Sequence, residues 1–256
     1  VIEFRNVWKA FSGQEVLRGL TLTVARGEIL YIIGASGAGK SVTIKHLIGL
    51  LRLDRGEVWY DGQRVDRWRE SEFYALRRRC VMVFQHSTLF DSMTVLDNVA
   101  LPLCKHQRLS LGEARRQALD YLDRVHMGEF KDALPAALSD GMRKRVAIAR
   151  ALTLSPECLL FDEPTTGLDP VNARRVDALI RELRGERKPH SAANVTCVVV
   201  SHDLTSMMSV ADRIALVYQG RVHALGTPSE LARSHDPVVH QFLNGHADGP
   251  METPGF

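Results

Sequence analysis

The chain has 256 residues, 45% of them hydrophobic and 25% charged, and a formal net charge of +3. That length fits one large domain or two closely packed subdomains with a sizeable core, and the composition is that of an ordinary globular protein. The small net charge lacks the dominant basic footprint of a nucleic-acid-binding protein, so no nucleic-acid partner is expected.

No apolar run approaches bilayer-spanning length. The longest, such as "ILYII" and "CVVV", are strand-sized, and no charged-then-apolar leader opens the sequence. If a membrane is involved, this chain is expected to touch it through a partner. Cys80, Cys104, Cys158 and Cys197 form no C-x-x-C pair and read as reduced core residues.

In chain order, "IEFRNVW", "GEILYII", "CVMVF", "CLLFDE", "TCVVVSH" and "RIALVYQ" read as strands, some buried on both faces. "GEVWYDGQRV" reads as a hairpin turned at Asp61-Gly62. Helical patterns follow the loop at 34–41 and fill much of 94–153, 170–184 and 203–211. This alternation predicts an α/β domain with a mainly parallel sheet. Between about 86 and 156 it breaks, because two helical patterns follow one another without a strand. That region is expected to be an inserted helical subdomain. The clusters Arg77-Arg78-Arg79 and Arg143-Lys144-Arg145 are expected to be solvated helix faces. "PSELARS" and "DPVVHQFLNG" predict two short helices, followed by a frayed Gly/Pro-rich end.

The strongest chemical signal is "GASGAGKS", Gly34 to Ser41, which fits G-x-x-x-x-G-K-[ST] between a strand and a helix. Glycines at 34, 37 and 39 let successive N–H groups face a phosphate chain. Gly34, Ala35, Ser36, Gly37, Ala38 and Gly39 thus form a phosphate loop, and Val42 adds only a backbone N–H. Lys40 supplies a point charge for the β- and γ-phosphates, and the Ser41 hydroxyl is suited to Mg²⁺. In "CLLFDEPTTGLDP", Asp162 ends an apolar strand where it would hold Mg²⁺, and Glu163 follows where a turning chain would aim it at an attacking water. Without the phosphate loop, an exposed acidic pair at a strand end would be the default reading. His202 and Gln85 each end a strand and, taken singly, are unremarkable. Asp203 is expected to cap the helix after His202.

Taken in order, "GASGAGKS", Gln85, "LSDGM", "LLFDEP", "GLDP" and His202 resemble the nucleotide-binding domain of an ABC transporter. The resemblance implies an α/β fold with a RecA-like P-loop NTPase core, a mainly parallel sheet, an antiparallel β subdomain and the inserted helical subdomain. It implies an ATPase domain over 1–230 and a C-terminal extension over 231–256. It further implies ATP and Mg²⁺ as ligands, adenine stacking on Phe11, γ-phosphate and Mg²⁺ sensing by Gln85, and a γ-phosphate contact from His202. Asp169 would lie at a dimer contact. Two copies would pair head to tail, each ATP lying between one phosphate loop and the other chain's Ser139 and Gly141.

Met142, "RKRVAIARAL", "FQHSTLFDSMTVLDNVALPL" and "HQFLNG" together resemble the ATPases of bacterial phospholipid transporters associated with MCE proteins, the Mla-type systems. That implies a peripheral position on the cytoplasmic face of the inner membrane, bound to a multi-span permease. A small STAS-domain partner and an MCE protein would complete the assembly. The apolar "TLF", "MTVL" and "VALPL" would dock the permease or pack as an ordinary core helix.

The chain departs from the family pattern within the signature: Met142 stands where most of the family has glutamine, and a second departure precedes it. Where the pattern has two glycines after the serine, the first is Asp140. Ser139 or Asp140 would serve as a helix N-cap. An inward carboxylate about 6 Å from another unit charge costs about 3 kcal/mol at an effective dielectric near 20, a hundredfold effect on closure or turnover. Asp140 therefore keeps open a nucleotide-gated dimerisation module with weak hydrolysis. A soluble non-transport ABC ATPase is the other alternative; such proteins usually place two such domains in one chain or insert a long coiled coil, and this sequence shows neither.

Overall fold

The computed structural model describes residues 2–185 and 195–251. The chain divides into two compact units, one made of the segments up to Leu76 and from Thr196 onward, the other of Arg77–Val195.

In the first unit β1 (Ile2–Phe11) and β2 (Gln14–Val24) form an antiparallel hairpin. Its turn residues Ser12 and Gly13 both have positive φ, 49° and 84°. The wholly buried β3 (Ile29–Ile33) runs through the phosphate loop into α1 (Lys40–Leu47). β4 (Arg55–Tyr60) and β5 (Gln63–Arg64) make the expected hairpin, with Asp61 and Gly62 at φ 48° and 76°. These outer strands form a four-stranded antiparallel sheet in the order β2-β1-β4-β5. α2 (Glu70–Arg79) then carries the chain out of this unit and buries only Phe73 and Leu76.

The second unit holds β6 (Cys80–Val83), α3 (Val95–Gln107), α4 (Leu111–Arg124), α5 (Asp140–Leu152), β7 (Cys158–Asp162) and α6 (Pro170–Gly185). β6 and β7 pair in parallel, with Cys80 opposite Cys158, and all four cysteines are free thiols. α3, α4 and α5 follow one another here with no strand between, one helix more than the two successive patterns that the sequence predicts. α4 buries Ala114, Ala118 and Leu122, a repeat of four that puts them on one face against Val99 and Leu103 of α3 and Val146 of α5. Thr94 and Ser110 cap α3 and α4 by accepting from the Asp97 and Glu113 amides. Buried Asn98 accepts from Phe90 N–H and donates to the Phe90, Met93 and Thr94 carbonyls, fixing the loop that enters α3.

The chain returns to the first unit with β8 (Thr196–Val200), α7 (Leu204–Val210), β9 (Arg213–Tyr218) and β10 (Arg221–Gly226). β3 pairs in parallel with β8 on one side and β9 on the other, and β10 pairs antiparallel with β9. The two tail helices are α8 (Pro228–Ala232), closed by a Thr227–Glu230 capping box, and α9 (Pro237–Asn244), capped by Asp236. The end after Gly245, expected to fray, is tied down as far as Met251. Met251 N–H donates to Gln241 Oε1, and Tyr218 O–H donates to the Pro250 carbonyl. Residues 252–256 lie outside the described part.

Candidate nucleotide site

The phosphate loop sits at the carboxyl end of β3, where parallel α/β strands present ligand sites. Gly34, Gly37 and Gly39 take φ of 146°, 78° and 96°, values that favour glycine. Gly39 opens α1, and the Thr43 amide and hydroxyl both donate to its carbonyl at 2.9 Å. Lys40 is buried within the curl, its Nζ donating to the Gly34 and Ala35 carbonyls at 2.8 and 3.0 Å. Ser36 and Gly37 are exposed, Ala35 and Ala38 half-buried, and Ser41 and Val42 lie in the first turn of α1.

β8 ends beside β3, Ile32 pairing with Val200, so His202 emerges exposed at the same end as the loop. Asp203 caps α7 as expected, accepting from the Thr205 and Ser206 amides. Phe11 closes β1 with 40% of its surface exposed and Lys9 Nζ 5.3 Å from its ring centre.

In the second unit, parallel β6 and β7 bring Gln85 and the Asp162-Glu163 pair to one end of the ladder. Asp162 is 6% exposed. Glu163 has φ 53°, so the chain has left strand geometry and the two acids need not point to opposite faces. Thr166 Oγ donates to Glu163 Oε2 at 2.8 Å.

Ser139 is the N-cap of α5, its Oγ accepting from the Met142 amide at 3.4 Å, which leaves the hydroxyl proton free to donate elsewhere. Asp140, the first residue of the helix, is exposed and pairs with Arg143 one turn on. The Arg143 guanidinium also donates to the Leu138 carbonyl at 2.7 Å, so it is braced against the helix start. The opening carboxylate is thus matched by a cation of its own helix. Gly141 is buried, and a Cβ there would lie 3.2 Å from Asn172 of α6, which itself donates to Asp169 Oδ2 at 2.6 Å. That contact with Asn172, together with backbone donors, holds the exposed Asp169 carboxyl below the usual range.

The candidates therefore fall into two groups: Phe11, Gly34–Val42 and His202 in the first unit, and Gln85, Ser139, Gly141, Asp162 and Glu163 in the second. One expectation is corrected. Arg143-Lys144-Arg145 is not a solvated face, since Lys144 and Arg145 are 5% and 8% exposed. Lys144 Nζ donates to the Thr166 and Glu163 carbonyls at 2.6 and 3.3 Å, and Arg145 donates to the Val125 and His126 carbonyls. Burial lowers the pKa of Lys144, partly offset by the Asp140 and Glu163 charges. The signal that finds them is the rest of the helix: "VAIARAL" is apolar almost all round, so α5 is enclosed and its cations must meet carbonyls.

Residues 17–166 match the family described as ABC transporter. The chain is 37% identical over 251 residues to the intermembrane phospholipid transport system ATP-binding protein MlaF of Escherichia coli (strain K12), covering 98% of this chain and 91% of that protein. It is 36% identical over 250 residues to the probable ribonucleotide transport ATP-binding protein mkl of Mycobacterium tuberculosis (strain ATCC 25618 / H37Rv), covering 98% of this chain and 68% of that protein. Among solved structures it matches the dimeric post-hydrolysis state of the ATP-binding cassette MJ0796 bound to ADP and Pi. That match has a TM-score of 0.80 and 31% identity, over 89% of this chain and 99% of the other. With a phosphate loop at a parallel strand end, an Asp-Glu pair at another and this extent of likeness, the chain belongs to the ABC transporter family as an ATP-binding cassette with the α/β P-loop NTPase fold, an ATPase subunit.

Proposed function

We propose that this chain is the ATP-hydrolysing subunit of a phospholipid transporter, pairing head to tail with a second copy and driving a multi-span permease from the cytoplasmic face of a bacterial inner membrane. The likeness to MlaF over nearly the full length supports the lipid substrate, as do Met142 after the signature and "HQFLNG" in the tail. A STAS-domain protein on the helical region and an MCE protein are the further partners. The permease would seat on a groove of about 390 Å³ in the second unit, lined by Phe84, Phe90, Leu101, Pro102 and Arg150. Val95 and Val99 of the same segment pack inside, so the apolar stretch divides between core and groove.

In the reaction, the loop amides and Lys40 bind the β- and γ-phosphates, and the exposed Phe11 ring takes the adenine. Ser41, Gln85 and Asp162 offer the hard oxygen donors that Mg²⁺ requires. The ion would neutralise charge on the transferred phosphoryl group. Glu163 takes a proton from the attacking water, and His202 steadies the γ-phosphate, positioning and electrostatics supplying the rest. Ser139 and Gly141 serve the partner's nucleotide. The observation that carries hydrolysis, against a non-hydrolysing clamp, is the Asp140–Arg143 pair, which offsets the extra charge at the signature.

The transport claim is tested by reconstituting the chain with its co-purified permease in vesicles and following a fluorescent phospholipid. ATP-dependent movement, lost in Lys40→Ala, is the expected result. Stimulation by ribonucleotides with no lipid movement would overturn it.

A further inference from the structure

Beneath the start of α5 lies a cavity of about 460 Å³ lined by Gln85, Asp140, Arg143, Lys144, Thr166 and Gly167. Lys144 is nearly enclosed there, and a buried ammonium is retained only where its hydrogen bonds are filled. It spends them on one turn, the segment from Glu163 to Gly167. Within that turn the Leu168 amide donates to the Thr165 carbonyl at 3.1 Å. Glu163 and Gly167 have φ of 53° and 77°, and the Thr166 amide reaches the Glu163 carbonyl only at 3.4 Å. A non-glycine residue in the left-handed region persists when its surroundings over-determine it. Here Lys144 binds the carbonyls at both ends of the Glu163–Thr166 turn, and the Thr166 hydroxyl holds the Glu163 carboxylate.

We infer that Lys144 is a positioning residue for hydrolysis: through the Glu163 and Thr166 carbonyls its ammonium fixes the turn that aims the Glu163 carboxylate. This rests on Glu163 being the general base. It also makes one helix carry two tasks, since α5 is capped by Ser139 and, five residues after that cap, carries the lysine that anchors the base. Misplacing a reacting group by about 1 Å costs on the order of a hundredfold in rate without removing any group that binds substrate.

The test is steady-state Mg-ATP hydrolysis by the chain assembled with its co-purified permease, with nucleotide affinity measured alongside. Lys144→Met is expected to lower kcat about 10- to 100-fold with KM within about threefold of the wild type. Lys144→Gln, which keeps a donor, is expected to recover most of that loss. If Lys144→Met does not fold, Thr166→Val carries the test, because it removes the hydroxyl bond to Glu163 and leaves Lys144 in place. It is expected to lower kcat with KM unmoved. Unchanged kcat in the folded Lys144→Met variant or in Thr166→Val, or a parallel loss of affinity and kcat, overturns the positioning role. Glu163→Gln separates the two ideas. If it is inactive while Lys144→Met is fully active, only the positioning role fails; if it hydrolyses like the wild type, the general-base reading fails and takes the positioning role with it.

Discussion

Gly34→Ala is expected to abolish nucleotide binding. The new Cβ would lie 2.2 Å from the Val217 carbonyl oxygen, and the residue would have to hold φ 146°, where L side chains are strained. Neither side can give way. β3 and β9 are locked in parallel register, Ile33 opposite Leu216, immediately before the clash. Overpacking and backbone strain together should cost roughly 3 kcal/mol or more at the loop, enough to displace the amides that face the phosphates. Gly37→Ala is the control: a Cβ there meets nothing within 4 Å, so only the penalty of φ 78° applies. Thermal melting and equilibrium binding of an ATP analogue read both. Wild-type affinity in Gly34→Ala would show that the loop does not bind phosphate in the geometry described.

Glu163→Gln is expected to lower turnover by about 10²- to 10⁴-fold while nucleotide affinity and melting temperature stay near the wild type. Glutamine has the same shape and still accepts the Thr166 hydroxyl through its amide oxygen, so the turn is preserved. It cannot take a proton. Asp162→Asn differs: that side chain is buried at the end of β7, and its loss should weaken the dependence on Mg²⁺ rather than proton transfer. Single-turnover hydrolysis separates these effects, and a Glu163→Gln variant that still turns over would remove Glu163 from the chemistry.

What the sequence makes legible follows from spacing. The phosphate loop needs its glycines at fixed offsets between a strand and a helix, and the buried strands read as short apolar runs, so β3, β6, β7, β8 and β9 are evident. β10 is not, because no residue along it is fully buried and its side chains alternate between exposed and half-buried. β2 escapes because Gly19, at φ 82°, interrupts its alternation where Asn6 and Trp8 crowd in. The site is legible where chemistry sits in a motif and illegible where it depends on a partner across the fold. Asp140 stands out as a charge in place of a glycine, yet its consequence is set by Arg143, which reads as one more base in a cluster. Lys144 and Thr166 lie 22 residues apart in two separate segments, neither standing out there for its own chemistry, so only their hydrogen bond shows that they act on the same turn.

The central claim is that this cassette hydrolyses ATP despite the aspartate in its signature. The direct measurement is steady-state Mg-ATP hydrolysis by the chain with its co-purified permease, comparing the wild type, Asp140→Gly and Arg143→Met against Glu163→Gln as the blank. With Asp140 matched by Arg143, the wild type should run far above the blank and Asp140→Gly should lie within about threefold of it. Arg143→Met should fall below the wild type: a carboxylate left unmatched and turned toward the partner's γ-phosphate would cost at most about 3 kcal/mol at an effective dielectric near 20, less the screening that the exposure of Asp140 brings. A wild type at the level of the blank, restored by Asp140→Gly, would contradict the account and make this chain a clamp gated by nucleotide.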